Sequence, residues 1–518
     1  MTSHRLTRAE RNQRVLDSGE KLDGLGRRAL NGGVITSSAH VVRIIISIGQ
    51  SAILARLLGP EDFGLIAMAL TVTAFVTMFT DMGLSTATVR RSYISQPLVS
   101  TLLALNIMVG FGLMILTALM APVAGLVFSD DRVTIVILCL ALSIPISALG
   151  AQHRALLARG MRWIPIQLGS LIGQVVGLIV AVVLILYADA GYWALVAQAL
   201  ITPLTVTVFY WIICDWRPSL VYDIRSVMSD IKLGVGLTGF SLTHYFHRQV
   251  DNGLIGWYWG AKELGFYNRG YNLFATFQTF CSMPVNSVLM PLLSRSRDRP
   301  DYWRRNVLDA AALVYLTNGL IGTLFTCLSA AIVHILLGPA WTHSIDILFY
   351  LAPTILISGD AVLNAICTAR GDMRALLKSA VLNVSCYVIG FVIALPYGAA
   401  AVGASYSIMT LLTLPVMIHI VLRKDIVSVR EYYRVTVPFI LCGVTVIAFY
   451  MKLVPDPFGK ADIMTVIIRA VLLAIAYLSL VLIVLRVNPD YTELRKRVSG
   501  HLSEVWHSRL VHYVPWSK

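Results

Sequence analysis

The sequence predicts an all-α polytopic membrane protein of about fourteen transmembrane helices, with two pseudo-symmetric six-helix lobes around a central cationic cavity plus two C-terminal helices. Three observations lead there. The 518-residue chain is 57% hydrophobic and 14% charged, with a mean hydropathy of +0.73, outside the range of ordinary soluble domains. Apolar runs of about 20 residues, the length that crosses a bilayer, recur along nearly the whole chain. Short turn motifs also recur in the same order in its two halves.

Residues 1–30 form a basic N-terminal segment without a cleavable leader, since the first apolar stretch is span length. Residues 7–30 read as an interfacial amphipathic helix with Leu22, Leu25 and Leu30 on its apolar side. A first lobe, 31–215, holds spans near 34–57, 64–88, 99–122, 132–152, 163–187 and 191–214. A linker at 216–233 leads to a second lobe, 234–424, with spans near 234–258, 265–292, 307–337, 344–367, 376–396 and 399–422. Two more runs, 436–454 and 463–486, lie within residues 425–487, and 488–518 form a polar tail. Pro438, Gly443 and Lys452 interrupt the run at 436–454, which makes twelve spans the alternative count.

Lysine and arginine concentrate in every second loop, which sets the topology because short cytoplasmic loops carry an excess of both. The basic sets are Arg90 and Arg91; Arg154, Arg159 and Arg162; Arg217, Arg225 and Lys232; Arg295 to Arg305; Arg370, Arg374 and Lys378; and Arg423 to Arg434. Both tails belong to the same side, so both termini are expected to be cytoplasmic. A net charge of +14 is thereby spread over short loops facing anionic headgroups. With no basic domain apart from the membrane, nucleic acid is not an expected partner. The seven cysteines lie scattered in or beside apolar runs and read as small hydrophobes, not as a metal or disulfide set.

"LLGPEDFG" (Leu57–Gly64) is echoed by "YWGAKELG" (Tyr258–Gly265) at an offset of 201 residues. "ARGMR" from Ala158 is echoed by "ARGDMR" from Ala369, and "AGYWALVAQ" from Ala190 more weakly by "AAAVGASYS" from Ala399. Their order points to a duplicated six-helix unit, and an even number of spans gives both copies the same orientation.

In the seventh span His244, His247, Arg248 and Asp251 follow an i, i+3, i+4, i+7 spacing, which puts them on one helical face. The 201-residue offset carries this face back to span one, where His40, Arg43, Ser47 and Gln50 again share a face. An Arg or Asp at mid-membrane costs about 2.5–3.5 kcal/mol on insertion scales, so such residues face a cavity or an internal partner. A plainer alternative is that Arg248 and Asp251 neutralise each other and the histidines are hydrogen-bonded in the core. Arg43 has no acidic neighbour in its own span, although Asp81 in span two could reach it. Asp81, Asp251 and Asp360 are candidates for gating or ion coupling. Arg269 joins the candidate cationic set, and both it and Asp346 sit near interfaces where long side chains snorkel. A cationic cleft would hold a strongly charged anion such as a pyrophosphate, which the forked guanidinium binds through two oxygens.

"ILARLLGPEDFGLIAMALTVTAFVTMFTDMGLSTATVRR" (Ile53–Arg91), supported by "ELGFYNRGYNLF" from Glu263 and "GYWALVAQ" from Gly191, resembles the Wzx-type oligosaccharide flippases. These form the polysaccharide transporter family of the multidrug/oligosaccharidyl-lipid/polysaccharide exporter superfamily. The resemblance covers residues from about 25 to 425, is strongest to exporters of exopolysaccharide repeat units, and is weaker over the last two spans and tails. It implies translocation of undecaprenyl-pyrophosphate-linked oligosaccharide across the bacterial inner membrane by alternating access. It further implies headgroup binding by Arg43 and Arg248, with His244, His247, Gln50 and His40 as neighbours. A polysaccharide polymerase and export machinery would be partners alongside membrane lipids. No cofactor is implied, and the choice between proton and sodium coupling is left open.

Two other readings stand. A multidrug or organic-cation antiporter of the same superfamily would be expected to carry acidic cavity residues, for which Asp81 and Asp251 are available. A membrane polysaccharide polymerase or ligase would be expected to carry a large outer loop with catalytic groups, but the outer loops here are short and show no nucleophile, metal or nucleotide motif.

Overall fold

A backbone in oil must satisfy its own hydrogen bonds, and this chain does so with helices. The computed structural model describes residues 7–16, 25–80, 83–221, 223, 228–284, 289–296, 299–454, 457, 459 and 462–487, and no strand occurs among them. The helices run α1 (Arg8–Leu16), α2 (Leu25–Leu57), α3 (Pro60–Thr77), α4 (Leu84–Arg90), α5 (Gln96–Phe128), α6 (Asp131–Ala141), α7 (Ser143–Arg159), α8 (Trp163–Ala188) and α9 (Tyr192–Ile213). After α10 (Met228–Pro284) come α11 (Met290–Ser296), α12 (Pro300–Cys327), α13 (Ser329–Leu336), α14 (His343–Leu351), α15 (Pro353–Ile357) and α16 (Asp360–Arg370). The last four are α17 (Met373–Ala394), α18 (Ala399–Leu422), α19 (Val429–Leu453) and α20 (Ile463–Val487).

Among the described residues eleven helices are long and apolar enough to cross a membrane, or twelve if the bent pair His343–Ile357 and Asp360–Arg370 is one span. The chain is a multi-pass membrane protein. The run expected at 344–367 is that bent pair, broken by 43°. The runs expected at 234–258 and 265–292 fall on α10, which Gly260 (φ 80°, ψ −175°) divides into two arms, 228–259 and 261–284. The interrupted run at 436–454 lies within a continuous 25-residue helix, α19. Pro438 lies inside that helix, which opens on a capping box: the Ser428 hydroxyl accepts from Glu431 N while the Glu431 side chain accepts from Ser428 N. The helix expected over 7–30 is instead α1 followed by the start of α2, and Leu22 lies outside the described residues.

Contacts divide the chain into two units. The first comprises 1–272, 336–344 and 388–402. Here α1 docks through Leu16, which is 3% exposed in a cluster with Leu98, Leu102, Tyr210 and Trp216. Asn12 clasps the backbone of Arg217 at both ends, donating to its carbonyl at 2.9 Å and accepting from its N–H at 2.9 Å. Gly169, Gly173 and Gly177 form a one-face stripe on α8 that admits Tyr210, Val206 and Thr202 of α9.

A close backbone approach in this unit joins the two echoed turns. A Cβ at Gly64 would overlap the carbonyl of Ala261, and a Cβ at Gly265 would overlap the carbonyl of Pro60. Pro60 and Ala261, like Gly64 and Gly265, are separated by the same 201 residues, so the contact is reciprocal. Around it Trp341 is fully buried, donating Nε1–H to the Ala55 carbonyl at 2.7 Å and packing edge-on against Phe63 and Phe266.

The second unit comprises 273–335, 345–387 and 403–518. Its core gathers Trp303, Tyr315, Tyr432, Phe439 and Tyr477 from α12, α19 and α20. At one end Asp425, its side chain 1% exposed, accepts from Arg370 at 3.0 Å and from Trp303 Nε1–H at 3.0 Å. The Arg370 of the second echoed motif thus ties α16 to the turn after α18.

Gly64→Ala and Gly265→Ala are each expected to destabilise the protein by at least about 1–3 kcal/mol through overpacking against backbone. Gly49→Ala, where no atom lies within 4 Å of the added carbon, should be nearly neutral. Thermal unfolding of the three purified variants in detergent measures the contrast.

Candidate functional site

Most of the candidate polar residues lie on α2 and α10. Arg43 is half-buried on α2, and its guanidinium donates to Oε1 of Gln167 on α8. Its Nε is buried and has no hydrogen-bond partner among the described residues. The cation is therefore held by a neutral amide, with donor capacity left over. His40 and Gln50 are half-buried on the same helix, and Ser47 is exposed.

On the first arm of α10, Tyr245 donates to the Thr71 carbonyl of α3 at 2.7 Å and packs edge-on against Phe75. These contacts fix the arm's rotation, leaving Arg248 exposed three residues on. Asp251 is fully buried: it accepts from the Tyr267 hydroxyl at 2.7 Å and from Asn252 N at 2.8 Å. No ion pair joins it to Arg248 among the described residues. The face shared by spacing is thus divided, one member sealed against the second arm and the other open. His244 and His247 lie on this arm with side chains outside the described residues, and Asp81 is itself outside them.

Arg269 on the second arm is clamped between α2 and α3. Its guanidinium stands 4.1 Å over the Phe63 ring and donates to Ser51 at 3.3 Å and Asn268 at 3.4 Å, while its Nε has no hydrogen-bond partner among the described residues. Asn268 also donates to Asn252 and accepts from Asn272 at 2.7 Å, and Asn252 donates to Gln249 at 3.1 Å. This ladder of neutral amides, with Tyr267, is absent from the sequence-derived set of site residues. Its trace in the sequence is the repeated Tyr–Asn of "YNRGYN" (Tyr267–Asn272), whose spacing of four returns to one helical face.

Asp360 opens α16 at the break after Ser358 and Gly359 and is half-buried. The six described cysteines are free, and the described residues contain no cluster of three or more His, Cys, Asp or Glu suited to a metal.

Residues 53–346 match the model of the family described as polysaccharide biosynthesis protein. The chain belongs to the polysaccharide biosynthesis protein family. Among relatives in this broad group, the lipopolysaccharide biosynthesis protein WzxC of Escherichia coli is 24% identical over 82% of this chain and 88% of its own length. The succinoglycan biosynthesis transport protein ExoT of Rhizobium meliloti is 26% identical over 58% of this chain and 60% of its own. Family membership comes with the fold of the lipid II flippase MurJ, whose inward closed structure superposes with a TM-score of 0.71 at 13% identity over 88% of this chain and 99% of that one. An inward-facing multidrug resistance MATE family transporter of the MOP superfamily follows with a TM-score of 0.56 at 11% identity, over 81% of this chain and 99% of that one.

Tyr267→Phe is expected to destabilise the protein by about 1–3 kcal/mol, since it strips the buried Asp251 of a donor. Tyr258→Phe, at a ring 51% exposed, should change little. Unfolding midpoints of the two variants give the comparison.

Proposed function

We propose that this protein is a flippase that carries undecaprenyl-pyrophosphate-linked oligosaccharide repeat units across the bacterial inner membrane by alternating access, for exopolysaccharide or lipopolysaccharide export. The observation that carries the reading is Arg43: a guanidinium within a membrane-spanning helix, bonded to a neutral amide and with no carboxylate partner among the described residues. Such a charge is unfavourable in oil unless it answers an anion. Arg248, exposed on α10, supplies a second fixed cation, and two guanidinium forks suit the several oxygens of a pyrophosphate. His40, Gln50, His244 and His247 are assigned as hydrogen-bonding neighbours, and Arg269, which donates to Ser51, as a further substrate-binding cation. The names of WzxC and ExoT, a lipopolysaccharide biosynthesis protein and a succinoglycan transport protein, support the same class of cargo.

The charged headgroup and sugars cross through the polar path while the polyprenyl chain stays in lipid, so the protein lowers a barrier set by desolvation and makes no bond. The finer architecture belongs to this proposal. The two arms of α10 complete a set of fourteen spans, arranged as two pseudo-symmetric six-helix lobes around a cationic cavity plus the two C-terminal helices. The sequence divisions are 1–30, 31–215, 216–233, 234–424, 425–487 and 488–518, with both termini cytoplasmic as the basic loops suggest. A polymerase and export machinery would receive the flipped units. Asp81 and Asp360 remain candidates for gating or ion coupling, whereas the sealed pairing of Asp251 with Tyr267 favours a gating or hinge role for that carboxylate. That seal also weighs against an organic-cation antiporter, which would need an acidic group open to its cargo.

In proteoliposomes, wild type should exchange a labelled polyprenyl-pyrophosphate oligosaccharide between leaflets. Arg248→Ala should slow exchange by about 10–100-fold, the worth of one charge-assisted contact, while inserting normally. Unchanged exchange in both Arg248→Ala and Arg43→Ala would contradict the assignment.

A further inference from the structure

A wall of neutral amides on α8 and α9 begins at Arg43 and is only partly used. Gln167 of α8, 8% exposed, accepts from the Arg43 guanidinium through Oε1. Gln174 follows seven residues later, two helical turns on, and so returns to the face of α8 that carries Gln167. Counted from Trp163 it lies about 16 Å along the helix, near the middle of a hydrocarbon core about 30 Å thick. Its Oε1 is buried and has no hydrogen-bond partner among the described residues.

α9 brings a third amide to this level. A Cβ on Gly177 would stand 3.4 Å from Cγ of Gln198, and Gly177 is less than one turn beyond Gln174. The glycine stripe of α8 therefore leaves room for the Gln198 side chain. Gln198 is 9% exposed, and its Nε2 has no hydrogen-bond partner among the described residues. Farther along α9 the polar side chains are spent on backbone: Thr207 donates to the Ile146 carbonyl at 2.9 Å, Tyr210 to the Ile166 carbonyl at 3.1 Å and Trp211 to the Leu149 carbonyl at 2.9 Å.

An acceptor on Gln174 and a donor on Gln198 thus stand open at one depth and do not answer each other. Buried amide groups left in this state are costly, so the chemistry of what would answer them is informative. An ionised pyrophosphate offers acceptors alone and cannot satisfy Gln174 Oε1. A metal cation could meet that oxygen but not the N–H of Gln198. A sugar hydroxyl donates and accepts through one oxygen, as an amide does through its two ends, and the hydroxyls of one pyranose ring can satisfy both groups. The wall carries no formal charge, which suits an uncharged sugar. Because it starts at the amide that holds Arg43, it adjoins the cation assigned to the pyrophosphate, where the first sugar of the cargo would lie.

We infer that Gln174 and Gln198 form a subsite for hydroxyls of the sugar joined to the pyrophosphate, and that these two amides make the protein select a glycosylated lipid over the bare one. The inference rests on the flippase reading and adds to it the residues that recognise sugar.

Equilibrium binding to the purified full chain in detergent is measured with undecaprenyl pyrophosphate alone and with the same lipid carrying glucose, galactose or N-acetylglucosamine. Wild type should bind at least one glycosylated lipid about tenfold or more tightly than the bare lipid. Gln174→Leu and Gln198→Leu should each weaken that glycosylated lipid by about 3–10-fold, the worth of a hydrogen bond, and leave the bare lipid unchanged. Each substitution removes an unanswered polar atom, so the unfolding midpoint of the lipid-free variant should hold or rise. A lowered midpoint with equal loss for bare and glycosylated lipids makes the amides part of the packing and overturns the subsite. Unchanged binding of every lipid in both variants means that water alone answers the amides; it overturns the subsite and leaves the headgroup reading standing, as binding of the bare lipid reports. A wild type that binds neither kind of lipid overturns both.

Discussion

The reciprocal crossing of Gly64 with Ala261 and of Gly265 with Pro60 is the constraint on which the first unit depends. Hydrophobic burial does not drive helices together inside a bilayer, so close backbone approach between small residues takes its place. Once these turns meet without side chains between them, the neighbouring groups have little choice. Phe63 is carried against Trp341 and beneath the Arg269 guanidinium, and Trp341 reaches the Ala55 carbonyl. The first arm of α10 is brought along α3, where Tyr245 bonds to Thr71. A duplicated motif makes such a contact natural, because each copy supplies both the glycine and the carbonyl that the other requires.

Two kinds of intramembrane charge emerge, and their surroundings separate them. Asp251 is buried and answered by a hydroxyl and a backbone N–H, which fits a carboxylate that holds two helical arms together. Arg43 is answered only in part. A buried polar group with its partners present stabilises a fold, whereas one left short of partners is retained at a cost. That contrast is the physical basis for assigning Arg43 to a ligand and Asp251 to the joining of the two arms of α10.

Much of this was legible in the sequence because lipid imposes length and composition on every span. The apolar runs at 163–187, 399–422 and 463–486 coincide within two residues with α8, α18 and α20. The echoed turns were legible from their repeated order, at offsets of 201 to 211 residues. Partnerships across the fold were not legible. Nothing in the neighbourhood of Arg43 indicates Gln167, 124 residues away, and helical spacing alone grouped Asp251 with Arg248 although its partner Tyr267 lies beyond the Gly260 break. The kink at Ser358 went unread because hydropathy does not register backbone direction, although Ser358, Gly359 and Asp360 interrupt the apolar run there. The amide ladder of Asn252, Asn268 and Asn272 escaped because single asparagines in apolar runs carry no charge to mark them.

The central claim is that the polar path of this fold is built for an anionic lipid headgroup. Native mass spectrometry of the purified protein, offered undecaprenyl-pyrophosphate oligosaccharide and a lipophilic organic cation together, tests it most directly. The account predicts one retained pyrophosphate lipid per chain, displaced by excess inorganic pyrophosphate and lost when Arg43 and Arg248 are both replaced by alanine. Retention of the organic cation with no affinity for the pyrophosphate lipid would contradict it.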